Sequence, residues 1–225
     1  MLQQRHQVAG SFEDLTRSDI LAGRFPRFAD RVAGRDGQIL VAAYHCIAEL
    51  GIAATTMRAV AQRAGVNQGL IHYYFDSKNE LLLELLRGLL ENATAIMRTV
   101  RDSDLSPTNK IICVLRSGAN FVQRREEVLV RISLWAHAMS QQGAWRETYR
   151  KLADDMQGAL IEIVEQGVVT GEFHVTDARA VATTIIAAYQ GIGMQYTVEP
   201  LDFAGKDVGD RLTSMFLKIV GAAPR

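Results

Sequence analysis

Residues 55–78, TTMRAVAQRAGVNQGLIHYYFDSK, carry the reading on which the fold of this chain depends. Met57, Val60, Ala61 and Ala64 recur at i, i+3, i+4 and i+7, so four apolar side chains share one face of a helix while Arg58, Gln62 and Arg63 stay outside. A hydroxyl at Thr55 or Thr56 can accept a first-turn N–H and start that helix. Gly65 follows the last periodic residue, where a left-handed backbone is cheap only for glycine. Val66 plugs the turn, and Asn67 is suited to cap a second helix through its side-chain oxygen. In that second helix Leu70, Ile71 and Tyr74 face inward and Gln68, Gly69, His72 and Tyr73 face outward. A third helix arrives at Lys78. An amide, a glycine, an imidazole and a phenol make a short, planar, hydrogen-bonding surface that fits a DNA major groove. A helix corner that only packs inside a helical protein is the other reading, and it has no use for that outward set.

The segment AGVNQGLIHYYFDSKNELL resembles the N-terminal signature of the TetR-type transcriptional regulators. The resemblance runs from roughly Arg35 to Leu85 and includes the Ala64-Gly65-Val66 turn, Gly69, the Tyr74-Phe75 pair, and Lys78 followed by Leu81 and Leu82. It implies an all-α protein: an N-terminal three-helix DNA-binding domain with a helix-turn-helix, then a C-terminal helical domain for ligand binding and dimerisation. The implied boundaries are an extension at 1–34, the DNA-binding domain at 35–80 and the effector and dimerisation domain at 81–225. The helix from Asn67 to Tyr73 would enter the groove. Lys78 falls on the family's lysine at the start of the fourth helix, which usually meets a phosphate. Tyr73 falls where histidine or tyrosine lies near the DNA backbone, and His72 stands where tyrosine is more usual. A fainter similarity of GVNQGLIHYYFDSKN to the choline-responsive BetI-type branch does not transfer ligand identity.

The expected DNA-binding set is therefore Arg35, Thr56, Arg58, Asn67, Gln68, Gly69, His72, Tyr73 and Lys78. Gln68, His72 and Tyr73 are assigned to the groove, and Thr56, Arg58 and Lys78 to the backbone. Charge supports this only by placement. The chain of 225 residues has a formal net charge of zero. Its first 80 residues hold nine cations (Arg5, Arg17, Arg24, Arg27, Arg31, Arg35, Arg58, Arg63, Lys78) against eight acids (Glu13, Asp14, Asp19, Asp30, Asp36, Glu49, Asp76, Glu80). Modest non-specific affinity and a shallow salt slope are expected.

With 48% hydrophobic residues the chain can bury a sizeable core, and long 3.6-period stretches with only four prolines favour helices. Helices are read at 78–100, 107–122, 125–140, 143–169, 177–198 and 207–220, punctuated by Pro107, Gly171 and Pro200. Ala180, Thr184, Ala187, Ala188 and Gly191 repeat at three- and four-residue steps. Small side chains let helix axes approach closely, and the resemblance makes this stripe the candidate homodimer interface, with packing inside one subunit as the alternative.

Candidate effector-binding residues are Met97, Phe121, Trp135, His137, Met139, Trp145, Tyr149, Met156, Tyr189 and Met194. Taken singly, each is as readily a core residue. Together they suggest an apolar or aromatic small molecule with one polar contact. Cys46 and Cys113 form no disulfide framework, and Cys113 among Ile111, Ile112, Val114 and Leu115 reads as core. No apolar run of membrane-spanning length and no leader segment is apparent, so a cytoplasmic protein without a membrane partner is expected. HExxH, P-loop and GxSxG motifs are lacking, and the histidines at 6, 45, 72, 137 and 174 have no metal-ligand spacing, so no enzyme, cofactor or metal is expected.

These features predict a ligand-responsive repressor released from palindromic operator DNA. The runners-up are a helical interaction protein that has lost operator binding and, further behind, a small-molecule enzyme. The extension at 1–34 reads as a mobile tail or one short helix. A sharper alternative sends Arg24, Arg27 and Arg31 to a minor groove or phosphates.

Overall fold

The computed structural model describes residues 15–198 and 206–221, and among these every regular element is a helix. They are α1 (Arg17–Leu21), α2 (Phe28–Arg31), α3 (Gly34–Ala54), α4 (Met57–Ala64), α5 (Gln68–Tyr74), α6 (Lys78–Asp102), α7 (Pro107–Val122), α8 (Arg125–Ser140), α9 (Ala144–Val169), α10 (Ala178–Val198) and α11 (Lys206–Ile219). The described chain divides into two compact units. One holds 26–92 and 129–152; the other holds 15–25, 93–128, 153–198 and 206–221.

The first unit is built on α3. Ile39, Leu40, Ala43 and Ile47 are buried against Val60 and Ala61 of α4, Ile71 of α5, and Leu81, Leu82, Leu85 and Leu89 of α6. Contrary to the sequence expectation, Gly34–Ala54 is long and apolar enough by composition to cross a membrane. Its apolar side chains are instead spent on this core. The unit also takes in chain from beyond residue 80: Val130, Leu134 and Ala138 of α8 and Trp145 of α9 share the same core. Trp145 donates its indole N–H to Asn79 Oδ1 at 3.0 Å, which satisfies the one polar atom of a buried ring.

In the second unit α7 begins at Ser106, whose hydroxyl accepts from the Asn109 N–H, with Pro107 in the first turn. Glu172 adds a second cap by accepting from the Thr108 N–H and hydroxyl at 3.1 and 2.6 Å. The buried Lys110 donates to the Arg101 carbonyl at 2.6 Å and to Gln166 Oε1 at 3.1 Å, so its ammonium is paired at the end of α6. Ile111, Leu115, Ile163, Phe173, Ile185 and Phe216 fill the core between α7, α9, α10 and α11.

Residues 15–25 lie along α7 as a strap. Thr16 and Asp19 form a capping box on α1. Arg116 and Asn120 on one face of α7, and Arg124 just past its end, then donate to the carbonyls of Leu21, of Ala22 and Gly23, and of Phe25. Arg17 forms a bidentate pair with Asp104 at 2.9 and 2.8 Å. The extension therefore carries two short helices and is anchored over its described part; residues 1–14 lie outside the described residues.

Candidate nucleic-acid interface

The two helices of the helix-turn-helix are each started by a side-chain cap. Thr55 Oγ1 donates to the Gly51 carbonyl at 2.8 Å and closes α3, while Thr56 is the N-cap of α4, accepting from the Ala59 N–H at 3.1 Å. Of the two threonines, Thr56 is thus the cap. Gly65 ends α4 at φ 66°, ψ 33°, the left-handed conformation in which its N–H reaches back to Ala61 and Gln62. Asn67 Oδ1 accepts from the Leu70 N–H at 2.8 Å and starts α5. With both helices closed this way, the turn between them has one geometry.

Burial of α5 is one-sided. Ile71 is fully buried and Leu70 and Tyr74 are half-buried, whereas Gln68, Gly69, His72 and Tyr73 are exposed. Tyr73 is 75% exposed, its ring meeting Tyr74 edge-on at 5.1 Å. Gln68 Nε2 and His72 Nε2 are 3.4 Å apart. The expected groove residues are therefore brought together on one open face.

The cations that the sequence offered to DNA are differently committed. Arg58 is exposed on the first turn of α4, with no acidic partner among the described residues. Arg63 is ion-paired with Glu49. Arg35 is exposed and donates to Gln38 Oε1 at 3.0 Å. Arg24 faces Asp19 at 3.4 Å. Lys78, read from sequence as a phosphate contact, donates its ammonium to the Ile52 carbonyl at 2.5 Å, in the last turn of α3. It compensates carbonyls left unpaired at a helix C-terminus, where a cation is favourable.

The candidate effector residues are shared between the two units. Trp135, His137, Met139, Trp145 and Tyr149 belong to the first unit; Met97, Phe121, Met156, Tyr189 and Met194 belong to the second. Trp135 and Met139 are exposed on α8. Burial pushes the Tyr149 phenol up, opposed by Arg131 and a hydrogen bond with Trp135. Tyr189 is buried and donates to the Leu115 carbonyl at 2.6 Å, and burial likewise raises its phenol. Met97 and Phe121 pack half-buried against the second core. Both cysteines are free and buried; burial pushes the Cys113 thiol up to about 11, far from the thiolate a sensor needs.

Sequence reading gave His137 no partner. Its ring meets Trp145 edge-on at 4.8 Å and its buried Nε2 has no hydrogen-bond partner among the described residues. Burial, and secondarily the Lys78 charge, hold its pKa below 6.5. The unfolded chain therefore binds this proton more readily than the folded one. The stabilising effect of the neutral ring is complete above pH 6.5 and is lost as pH falls from there toward the lowered folded value. A melting-temperature series from pH 8 to 5 should show that decline, and His137→Gln should flatten it. An unchanged decline in His137→Gln would assign it to other groups.

An exposed helix mounted on a capped neighbour and a buried α3 has the geometry of a helix-turn-helix DNA-binding protein. Residues 39–85 match the N-terminal domain of the bacterial regulatory proteins of the tetR family, and residues 118–218 match the C-terminal domain of BetI-type transcriptional repressors. The chain belongs to the TetR family. The HTH-type transcriptional repressor KstR2 of Mycobacterium tuberculosis is 30% identical over 149 residues, covering 64% of this chain and 74% of that protein. The structure of that ketosteroid transcriptional regulator matches with a TM-score of 0.66 and 25% identity, over 88% of this chain and 100% of the other.

Two further structures share the fold. A transcriptional regulator from Saccharomonospora viridis in complex with choline matches with a TM-score of 0.70 and 21% identity, over 81% and 95% of the two chains. FadR from Bacillus subtilis in complex with stearoyl-CoA matches with a TM-score of 0.66 and 18% identity, over 81% and 96%. The protein is thus a ligand-responsive, DNA-binding transcriptional repressor and not an enzyme.

Proposed function

We propose that two copies of this chain bind a near-palindromic operator through paired α5 helices and leave it when each takes up a small apolar or aromatic effector. The observation that carries this reading is the one-sided burial of α5, which leaves Gln68, Gly69, His72 and Tyr73 open, with Arg58 exposed on α4. Arg35, Thr56, Arg58 and Lys78 serve phosphates, and the Asn67 cap sets where α5 begins. Paired recognition helices must sit about 34–36 Å apart, or at a related spacing. An effector releases the operator only through its differential affinity for a dimer arrangement that does not match that distance.

The dimer reading is supported by exposure along α10. Ala180, Thr184 and Ala187 are exposed, Gly191 has open space over its Cα, and Met194 and Val198 continue the line, Val198 being 86% exposed. Met215 and Ile219 of α11 are exposed as well. Ala188 turns instead toward the second core. Large apolar side chains left in water on adjacent elements fit burial against a second copy.

For the effector, the half-buried candidates of the second unit, Met97, Phe121 and Met156, are apolar and polarizable and include no acid. That favours an uncharged apolar or aromatic body over a small cation. The structures bound to choline and to stearoyl-CoA show how widely ligand chemistry varies on this fold.

The test is a fluorescence-anisotropy titration against DNA from the protein's own promoter region, at two salt concentrations and with unrelated DNA as competitor. Tight binding that survives the competitor supports the reading, and equal weak binding to both DNAs removes it. In the same assay Lys78→Ala is expected to weaken all DNAs nearly uniformly. Because Lys78 bonds the α3 carbonyl, it should also lower stability by about 1.5–3 kcal/mol. A change confined to base preference, with melting and salt dependence untouched, would contradict both roles.

A further inference from the structure

The open face of α5 holds two features that packing does not require. The first is the approach of Gln68 Nε2 to His72 Nε2, 3.4 Å apart and one helical turn from each other. Two nitrogens share a hydrogen bond only if one has a lone pair. The amide nitrogen has none, so in this contact it can only donate, to a ring nitrogen that carries no proton. The second is Gly69. It sits inside a seven-residue helix, its φ is not left-handed, and an added Cβ would meet only Asn67 Oδ1, at 3.3 Å. It lies in the first turn of α5, where the one neighbour that a side chain would crowd is the oxygen of the Asn67 cap.

We propose that Gln68 reads an adenine in each operator half-site, that His72 is the positioning residue holding its amide in the reading orientation, and that Gly69 lets α5 approach the base edge closely. This rests on the operator-binding reading above. With one amide N–H given to His72, Gln68 keeps an adjacent pair, the other N–H and Oε1. That donor–acceptor pair is the complement of adenine N7 and N6–H in the major groove. Guanine offers two acceptors there, O6 and N7, and would set Oε1 against one of them. A free amide can turn over and present either edge; one engaged by His72 presents a single edge. The Gly69 position keeps the surface beside Gln68 bare, as a side chain of ordinary reach requires.

The experiment is selection of bound sequences from a random DNA pool by the full-length protein, followed by affinity measurements on the selected site and on a variant with guanine for adenine. Wild type should enrich an inverted repeat with one adenine per half-site that depends on Gln68. Gln68→Ala should retain the repeat and lose an adenine-over-guanine preference of about 5- to 150-fold, the range for one bidentate contact. His72→Phe should lose most of that preference, and His72→Gln, which restores a polar atom at the same reach, should recover it. Gly69→Ala should bind every sequence at least about tenfold more weakly with its melting temperature retained.

An enriched repeat with no position dependent on Gln68, or with another base there, overturns the pairing. Discrimination unchanged in His72→Phe overturns the positioning role, and unchanged affinity in Gly69→Ala overturns the close approach. Absence of any enriched repeat overturns instead the operator-binding reading on which the proposal rests.

Discussion

Replacing Ile71 by alanine is expected to remove about 2–5 kcal/mol from the stability of the helix-turn-helix unit and, with it, specific DNA binding. Ile71 is 0% exposed and is the one fully buried side chain of α5. It holds a seven-residue helix, too short to persist on its own propensity, against α3 and α4. Amide hydrogen exchange across α4 and α5 would read the loss directly. Tyr73→Ala provides the contrast: at 75% exposure it should leave exchange and melting within about 0.5 kcal/mol of wild type. It should weaken DNA binding alone. Wild-type protection in Ile71→Ala would mean that α5 is held by something other than its inner face.

The second large effect is expected in the other unit, where Phe173 and Gly167 occupy each other's space. Phe173 is 1% exposed, and its N–H returns to the Gly167 carbonyl at 2.9 Å. A Cβ at position 167 would stand 2.0 Å from the ring's Cδ2 and 2.3 Å from Cε2, so the aromatic ring lies on bare backbone. Phe173→Ala should cost about 3–5 kcal/mol through the cavity it leaves. Gly167→Ala should cost about 1–3 kcal/mol or more through overpacking. The two positions touch, so their effects should not add. Gly167→Ala combined with Phe173→Leu, whose smaller side chain can yield, should be more stable than the sum of the single changes predicts. Chemical denaturation followed by circular dichroism measures wild type, the three single changes, Phe173→Leu included, and the double, and strict additivity would show that the ring is free to move.

Much of this architecture was legible because it is written at short range. The limits of α4 and α5 follow from Thr56, Gly65 and Asn67, each acting on backbone within four residues of itself. The long helices fall within two residues of their expected bounds, since period, Pro107 and Gly171 are likewise local signals. One-sided burial of α5 was readable for the same reason: three inward residues leave four outward ones.

What escaped the sequence are contacts between residues far apart along the chain. Lys78 reads from its neighbours as a helix-start cation free to meet a phosphate; its bond to the Ile52 carbonyl exists only because α6 begins beside the end of α3. The strap at 15–25 lacks a sustained helical period. It is held by donors on α7 and just past its end that lie 95 or more residues away. Trp145 and His137 read as effector candidates, yet Trp145 is a core residue of the unit that carries the helix-turn-helix, bonded to Asn79 across 66 residues.

Sequence by itself determined the helical class, the places where helices start and stop, and which face of α5 is offered to solvent. These depend on backbone capping and on a periodicity that any stretch of some ten residues displays. Tertiary structure decided which cations remain available for DNA, where the extension is tied down, and which aromatic side chains are core. Those depend on which carbonyl, carboxylate or ring lies within hydrogen-bonding or van der Waals reach, a distance that exists only once the helices have packed.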